Sequence, residues 1–116
     1  MLYFADFGNN EAQKYDPLSL ANSFKIDIGG SGTDSVALAG PTDVAVDAAG
    51  YTYVCDTGNR RVLRYDPTGR FVQRVDIEPD VDGNFLVSPL AVAADDEQVY
   101  VGDPGTRTVA IFRRRK

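Results

Sequence analysis

Apolar residues come in short bursts along this chain, such as Val44-Ala45-Val46 and Phe85-Leu86-Val87, only a few residues long. Around them, runs of four to seven residues rich in Val, Ile, Tyr and Phe are bounded by Gly, Pro, Asp or Asn, which is the pattern of short β-strands. A helix would need apolar residues at i, i+3, i+4 and i+7 over ten or more residues, and eleven Gly and six Pro interrupt every such window. The pattern predicts ten strands: 2–6, 11–16, 23–28, 43–47, 51–56, 61–66, 71–76, 90–94, 98–102 and 107–113. No run approaches the roughly 20 apolar residues that span a bilayer as a helix.

The strands fall into a repeat. Tyr3-Phe4-Ala5-Asp6-Phe7-Gly8-Asn9 matches Tyr53-Val54-Cys55-Asp56-Thr57-Gly58-Asn59 and Tyr100-Val101-Gly102-Asp103-Pro104-Gly105-Thr106, with Asp-to-Asp spacings of 50 and 47 residues. A second element, Pro41-Thr42-Asp43-Val44-Ala45-Val46-Asp47, returns 48 residues later as Pro89-Leu90-Ala91-Val92-Ala93-Ala94-Asp95. Each Asp-x-Gly turn is followed by a further strand carrying an aromatic at the same place, Tyr15, Tyr65 and Phe112.

A period of 40 to 50 residues with four strands per unit is the signature of a β-propeller, whose blades are four-stranded antiparallel sheets set around an axis. The expected class is therefore all-β, with one complete blade at 41–76, blade fragments at 1–28 and 89–113, and a basic tail at 114–116. The connections 29–40 and 77–88, twelve residues each, are long for a compact domain, and a propeller gathers such crossings on one face. Three blades do not close a ring, since propellers use typically four to eight. The chain is accordingly expected to belong to a larger propeller or to complete a ring with copies of itself or a partner, by heterologous contact.

The stretch from Pro41 to Asp66, with Asp56-Thr57-Gly58-Asn59-Arg60-Arg61-Val62-Leu63-Arg64-Tyr65 at its heart, resembles the NHL repeat, a blade unit of propellers that are usually six-bladed. The resemblance extends over the chain as one full repeat between two partial ones. The outer copies depart from it: Glu11 stands where the middle copy has Arg61, and Thr106 and Thr108 where it has Asn59 and Arg61. What it implies is a non-catalytic scaffold for proteins or ligands. It also implies two alternatives, a fragment of a six-bladed metal-dependent lyase or lactonase, and an RNA-binding propeller.

Read from the residues, the repeated motif Asp6, Gly8, Asp56, Gly58, Asn59, Asp103 and Gly105 is structural. Asp can accept backbone N–H groups of the turn, Gly supplies positive φ and Asn tolerates the left-handed region, whereas a site residue need not recur in every blade. Tyr3, Tyr53 and Tyr100 and the second aromatic set are expected to pack blade on blade. Cys55 stands where the sister repeats have Ala5 and Gly102, so a small buried hydrophobe is expected. Arg60, Arg61 and Arg64 with Asp66 and Asp76 read as a charged blade edge that blocks stray strand pairing. The stretch from Glu78 to Asn84 alternates oxygen ligands around a glycine but lacks the distal Glu of a calcium loop. Binding residues are expected in the two crossings, at Asp34 and Ser35 and at Asp80, Asp82 and Asn84.

Composition narrows the chemistry further. Seventeen acids against twelve bases give a net charge of −5, which speaks against nucleic-acid binding by counterion release, although the run Arg113-Arg114-Arg115-Lys116 is locally basic. With no histidine, the commonest general base is missing, and a single cysteine makes neither a disulfide nor a Cys/His zinc site. The expectation is no enzyme, no catalytic residue, no metal and no cofactor. Protein partners or copies of the chain are expected, with a small-molecule ligand possible and no membrane span. The opening Met1-Leu2-Tyr3-Phe4 carries no signal-peptide pattern, and the compartment stays open.

Overall fold

The computed structural model describes residues 2–9, 11–16, 21–26, 38–76 and 79–113. The described residues form ten strands, β1 (Leu2–Asp6), β2 (Glu11–Asp16), β3 (Ala21–Ile26), β4 (Asp43–Val46), β5 (Thr52–Asp56), β6 (Arg61–Tyr65), β7 (Phe71–Arg74), β8 (Ala91–Ala94), β9 (Gln98–Asp103) and β10 (Thr108–Arg113). Among the described residues there is no α-helix, only one-turn 3-10 segments at Phe7–Asn9 and Thr57–Asn59. Every strand pairing is antiparallel, so the class is all-β.

The strands form three sheets. The middle one is a complete blade, ordered β4-β5-β6-β7, flanked by a three-stranded sheet β1-β2-β3 and a three-stranded sheet β10-β9-β8. Equivalent joints recur in equivalent registers: Ala5 faces Ala12, Cys55 faces Val62, and Gly102 faces Val109. One correction concerns β3, expected to start at 23 and observed from 21, while the expected end at 27–28 lies outside the described residues. A register shift between Lys14 and Tyr15 lets pairing with β2 continue back to Asn22 and Ala21. The same irregularity returns one blade later between Arg64 and Tyr65, opposite Phe71.

Two apolar joints hold the blades together. In the first, Ala12 of the first blade meets Leu38, Val54, Leu63 and Tyr65. In the second, Tyr53, Cys55 and Val62 of the middle blade meet Val92, Val99, Val101, Ala110 and Phe112 of the third, with Leu86 from the crossing. Strand β5 is therefore buried along both faces, whereas β9 alternates between buried and half-buried positions. Each fully covered Val or Leu contributes about 1.5–3 kcal/mol relative to exposure, so the joints carry much of the fold.

Tight turns between strands are closed by aspartates. Asp47 accepts the amides of Ala49 and Tyr51 and the hydroxyl of Tyr53 (2.8 Å) in the β4–β5 hairpin. Asp95 does the same in the β8–β9 hairpin, with the amides of Glu97 and Gln98 and the Tyr100 hydroxyl. Asp66 accepts the amides of Thr68 and Arg70 in the β6–β7 hairpin. Much of the excess acid in the composition is thus turn chemistry.

Candidate functional site

The Asp-x-Gly turns and the ends of the crossings meet at one end of the blades. Asp56, fully buried, accepts the amide of Ala39 (2.7 Å), the side-chain amide of Asn59 (2.9 Å) and Nε of Arg61 (2.7 Å). Asp103, also buried, accepts the amides of Val87 (2.7 Å), Ser88 (2.9 Å) and Gly105 (2.9 Å). Each aspartate ties the crossing that enters its own blade to the turn between that blade's second and third strands. For Asp56, the backbone partner is the crossing seventeen residues upstream, where the sequence suggests the turn that follows.

The motif glycines have a different reason from the one their φ preference suggests. Positive φ in these turns falls on Arg60 (57°) and Arg107 (59°), one residue beyond Asn59 and Thr106. Gly58 is required instead by close approach. Its amide donates to the Ala39 carbonyl (2.7 Å), and a Cβ there would collide with that same oxygen. A Cβ on Gly105 would lie 2.6 Å from a methyl of Val87. At Gly8 nothing lies within 4 Å of the Cβ position.

A polar latch joins the middle and third blades here, on residues that sequence reasoning missed. The hydroxyls of Thr42 and Thr57 lie 2.7 Å apart and 2.8 and 2.7 Å from the carbonyls of Leu90 and Pro89 respectively, and their two protons serve two of these three contacts at a time. Asp43 accepts the amide of Val92 (2.9 Å), forty-nine residues away. The signal was present in the repeat: Thr42 and Asp43 align with Leu90 and Ala91, polar against apolar, and such a switch marks positions with unlike neighbours.

The charged residues read as a blade edge are distributed otherwise. Arg61 is drawn into a buried pair with Asp56. Arg64 is itself buried, its guanidinium stacked 4.0 Å from the ring centre of Tyr51. Asp76 is buried and accepts the Val62 amide and two bonds from Arg74. Arg60 stays exposed and Asp66 closes the β6–β7 hairpin; Arg64 can be buried because a planar guanidinium stacks on an aromatic face while a lysine would need water.

Of the expected binding residues, Asp34 and Ser35 lie outside the described residues, as do residues 114–116 of the basic tail. Asp80 is buried, and its carboxylate accepts the amides of Asp82 (3.0 Å) and Asn84 (2.8 Å), with Gly83 at φ +85° closing the turn. Asp82 and Asn84 are exposed on that turn. Cys55 is fully buried, and burial first, then the nearby carboxylates of Asp43, Asp103 and Asp56, push its thiol up to about 12. At neutral pH it is a packed hydrophobe, since the thiolate is the reactive form. Among the described residues no group of three or more Asp, Glu or Cys side chains is arranged to hold a metal.

The same end of the molecule exposes large apolar side chains: Phe7 (65% exposed) from the first blade's turn, and Phe85 (61%) and Val87 (48%) from the crossing into the third. Single exposed apolar residues are ordinary, but several on one loop-built end over a rigid framework make a candidate contact surface.

No family model matches the chain, and no curated protein matches it in sequence. Solved structures do match in fold. Hydrazine synthase from Kuenenia stuttgartiensis aligns with a TM-score of 0.60 at 10% identity, over 95% of this chain and 31% of its own. An auxiliary nutrient-binding protein from Bacteroides thetaiotaomicron aligns with a TM-score of 0.57 at 15% identity, over 95% of this chain and 34% of its own. The chain thus spans about a third of the length of either. Both neighbours are propeller-like, and the three antiparallel sheets are blades of that architecture. Among the described residues no helix is long and apolar enough to cross a membrane.

Proposed function

We propose that the chain is an NHL-like propeller segment acting as a non-catalytic scaffold that binds proteins or ligands through its loop end, within a ring completed by further blades. One observation carries this reading. The carboxylates at the loop end, Asp56 and Asp103, are buried and engaged with backbone amides, while the large apolar side chains Phe7, Phe85 and Val87 stand exposed on that end beside Asn59, Arg60 and Arg107. A reaction centre needs polar groups aimed at solvent, whereas apolar side chains on a rigid frame suit recognition. The nutrient-binding role named for one structural neighbour accords with a binding function.

Panning a displayed peptide library on the immobilised chain tests it. Binders are expected whose signal falls at least about tenfold for a Phe7→Ser, Phe85→Ser double variant, as for loss of an interface anchor. They should be unaffected by Val72→Ser on the outer strand. Binding that ignores the double variant would remove the loop end from the function.

A further inference from the structure

One position of the turn motif carries a side chain that the fold does not use. In the turns after Asp56 and Asp103 the left-handed residue is Arg60 (φ 57°) in the middle blade and Arg107 (φ 59°) in the third. The two are repeat counterparts, and the first repeat has Asn10 at that position. Asn enters left-handed backbone readily, whereas a long side chain such as Arg does so at a cost. Both arginines are exposed, and among the described residues neither guanidinium has a hydrogen-bond or ion-pair partner. Arg60 is exposed although the joint beside it is closed by the third blade, so the exposure belongs to the turn and not to an uncovered flank.

Each arginine stands beside one of the exposed apolar groups. A methyl of Val87 lies against Gly105, two residues before Arg107, and Phe85 precedes Val87 in the same crossing. Phe7 lies over Gly40, next to Ala39, whose carbonyl accepts the Gly58 amide in the Arg60 turn. The described acids of this end are engaged inward. Asp56 is taken by Ala39, Asn59 and Arg61, Asp103 by three amides and Asp43 by Val92, and Glu11 in the first blade's turn is itself engaged. Asp82, the exposed acid of the crossing, sits on a turn held along β10 by the bond from the Val81 amide to Ile111, four residues beyond Arg107. The charge that this end presents to solvent is therefore positive, against −5 for the whole chain.

We propose that the loop end takes an acidic peptide segment of a partner protein, with its carboxylates on Arg60 and Arg107 and its apolar side chains on Phe7, Phe85 and Val87. A guanidinium offers a fork of donors that matches a carboxylate, and arginine with aromatic side chains is the usual make-up of interface anchors. A partner's charge also explains why arginine stands where asparagine fits the backbone more easily. Two arginines on a chain of net charge −5 neutralise too few phosphates for nucleic acid to be the better occupant. The proposal rests on the reading of the loop end as a binding surface and names the chemistry of its partner.

Fluorescence polarisation on the full chain tests it. The probes are short labelled peptides that interleave Glu with Leu and Phe, the same peptides with Gln or Lys for Glu, and a mixed-sequence single-stranded RNA. The Glu peptides are expected to bind at least about tenfold tighter than the Gln peptides, with the Lys peptides weakest and the gap narrowing in high salt. The double variant Arg60→Asn, Arg107→Asn is expected to remove that advantage while leaving the thermal midpoint unchanged or raised, since Asn accepts the left-handed turn. A lowered midpoint with unchanged peptide affinity would assign the arginines to the fold and overturn the proposal. Glu peptides that bind no better than Gln peptides, or RNA bound more tightly than any peptide, would do the same. Panned peptides that depend on Phe7 and Phe85 but show no acidic preference would remove the acidic partner and leave the scaffold reading standing. Glu peptides that lose affinity in the arginine variant but not in the Phe7→Ser, Phe85→Ser variant would keep the acidic partner and remove the apolar surface on which the scaffold reading stands.

Discussion

The carboxylate of Asp56 receives the amide of Ala39 at 2.7 Å, across seventeen residues of chain, and so ties the crossing between two blades to a turn inside one of them. Asp103 repeats the arrangement with Val87 and Ser88. The repeated acid of the motif is a tether between segments, and the rest of the turn is built around it.

Asp56→Ala is expected to destabilise the chain by about 3 kcal/mol, because it leaves the largely buried Arg61 guanidinium without its partner and the Ala39 amide without an acceptor. Asp56→Asn keeps an oxygen for Ala39 and should cost less, about 1–2 kcal/mol. Urea denaturation of the three proteins measures both; equal losses would assign the whole effect to the charge pair with Arg61 and none to the Ala39 hydrogen bond.

Gly58→Ala and Gly8→Ala make a matched pair at equivalent repeat positions. Neither glycine has positive φ, so backbone strain is the same for both. At Gly58 the new methyl meets the Ala39 carbonyl, and a loss of about 2 kcal/mol or more is expected, as for overpacking. At Gly8 the methyl enters open space and the change should stay within about 0.5 kcal/mol. Thermal midpoints of the two variants decide; equal shifts would return the explanation to turn conformation.

Cys55 should resist a thiol reagent such as iodoacetamide at mildly alkaline pH in the native protein and react at the ordinary rate once unfolded, since its thiol is pushed up to about 12 and its side chain is fully buried. Mass spectrometry of alkylated chains with and without denaturant reads this directly. Rapid native labelling would mean that the joint between the middle and third blades opens.

Tyr100 donates its hydroxyl to Asp95 at 2.7 Å, and that hydrogen bond first, then desolvation and the charges of Asp95 and Glu97, raise its pKa above 10.0. A raised folded value favours the neutral phenol in the folded state. The contribution is therefore complete below pH 10.0 and is lost as pH climbs through the folded value. Tyr100→Phe should lower stability near neutral pH and flatten its alkaline decline. Denaturation midpoints on both sides of pH 10.0 test the sign; an identical decline in the variant would assign it to another group.

Strands and their order were legible because both depend on local pattern. Runs such as Thr52–Asp56 and Gln98–Asp103 carry their β-propensity and bounding turn residues within a few positions, and the recurrence of Asp-x-Gly exposes the blade period. The start of β3 was displaced by two residues because an irregularity at Lys14 and Tyr15, which no composition signal marks, shifts the register. The glycine of the motif was recognised as necessary for the wrong reason: left-handed backbone falls on Arg60, and Gly58 is held small by a carbonyl brought from elsewhere in the chain. Arg61 and Arg64 look like surface charge in sequence, yet Arg61 is drawn to the buried Asp56 and Arg64 is buried over the ring of Tyr51.

By itself the sequence determined the all-β class, the blade period and the small buried site at Cys55, since these follow from alternation, turn residues and comparison of one repeat with the next. Only the tertiary structure decided what each repeated residue touches. Asp43 finds Val92 and Asp56 finds Ala39 through space, and Val62 is sealed while Val109 is open because the next blade covers one of them. A repeat makes positions equivalent in local conformation, but contact energy belongs to the neighbour that packs against them, and that neighbour is set by the stacking of blades.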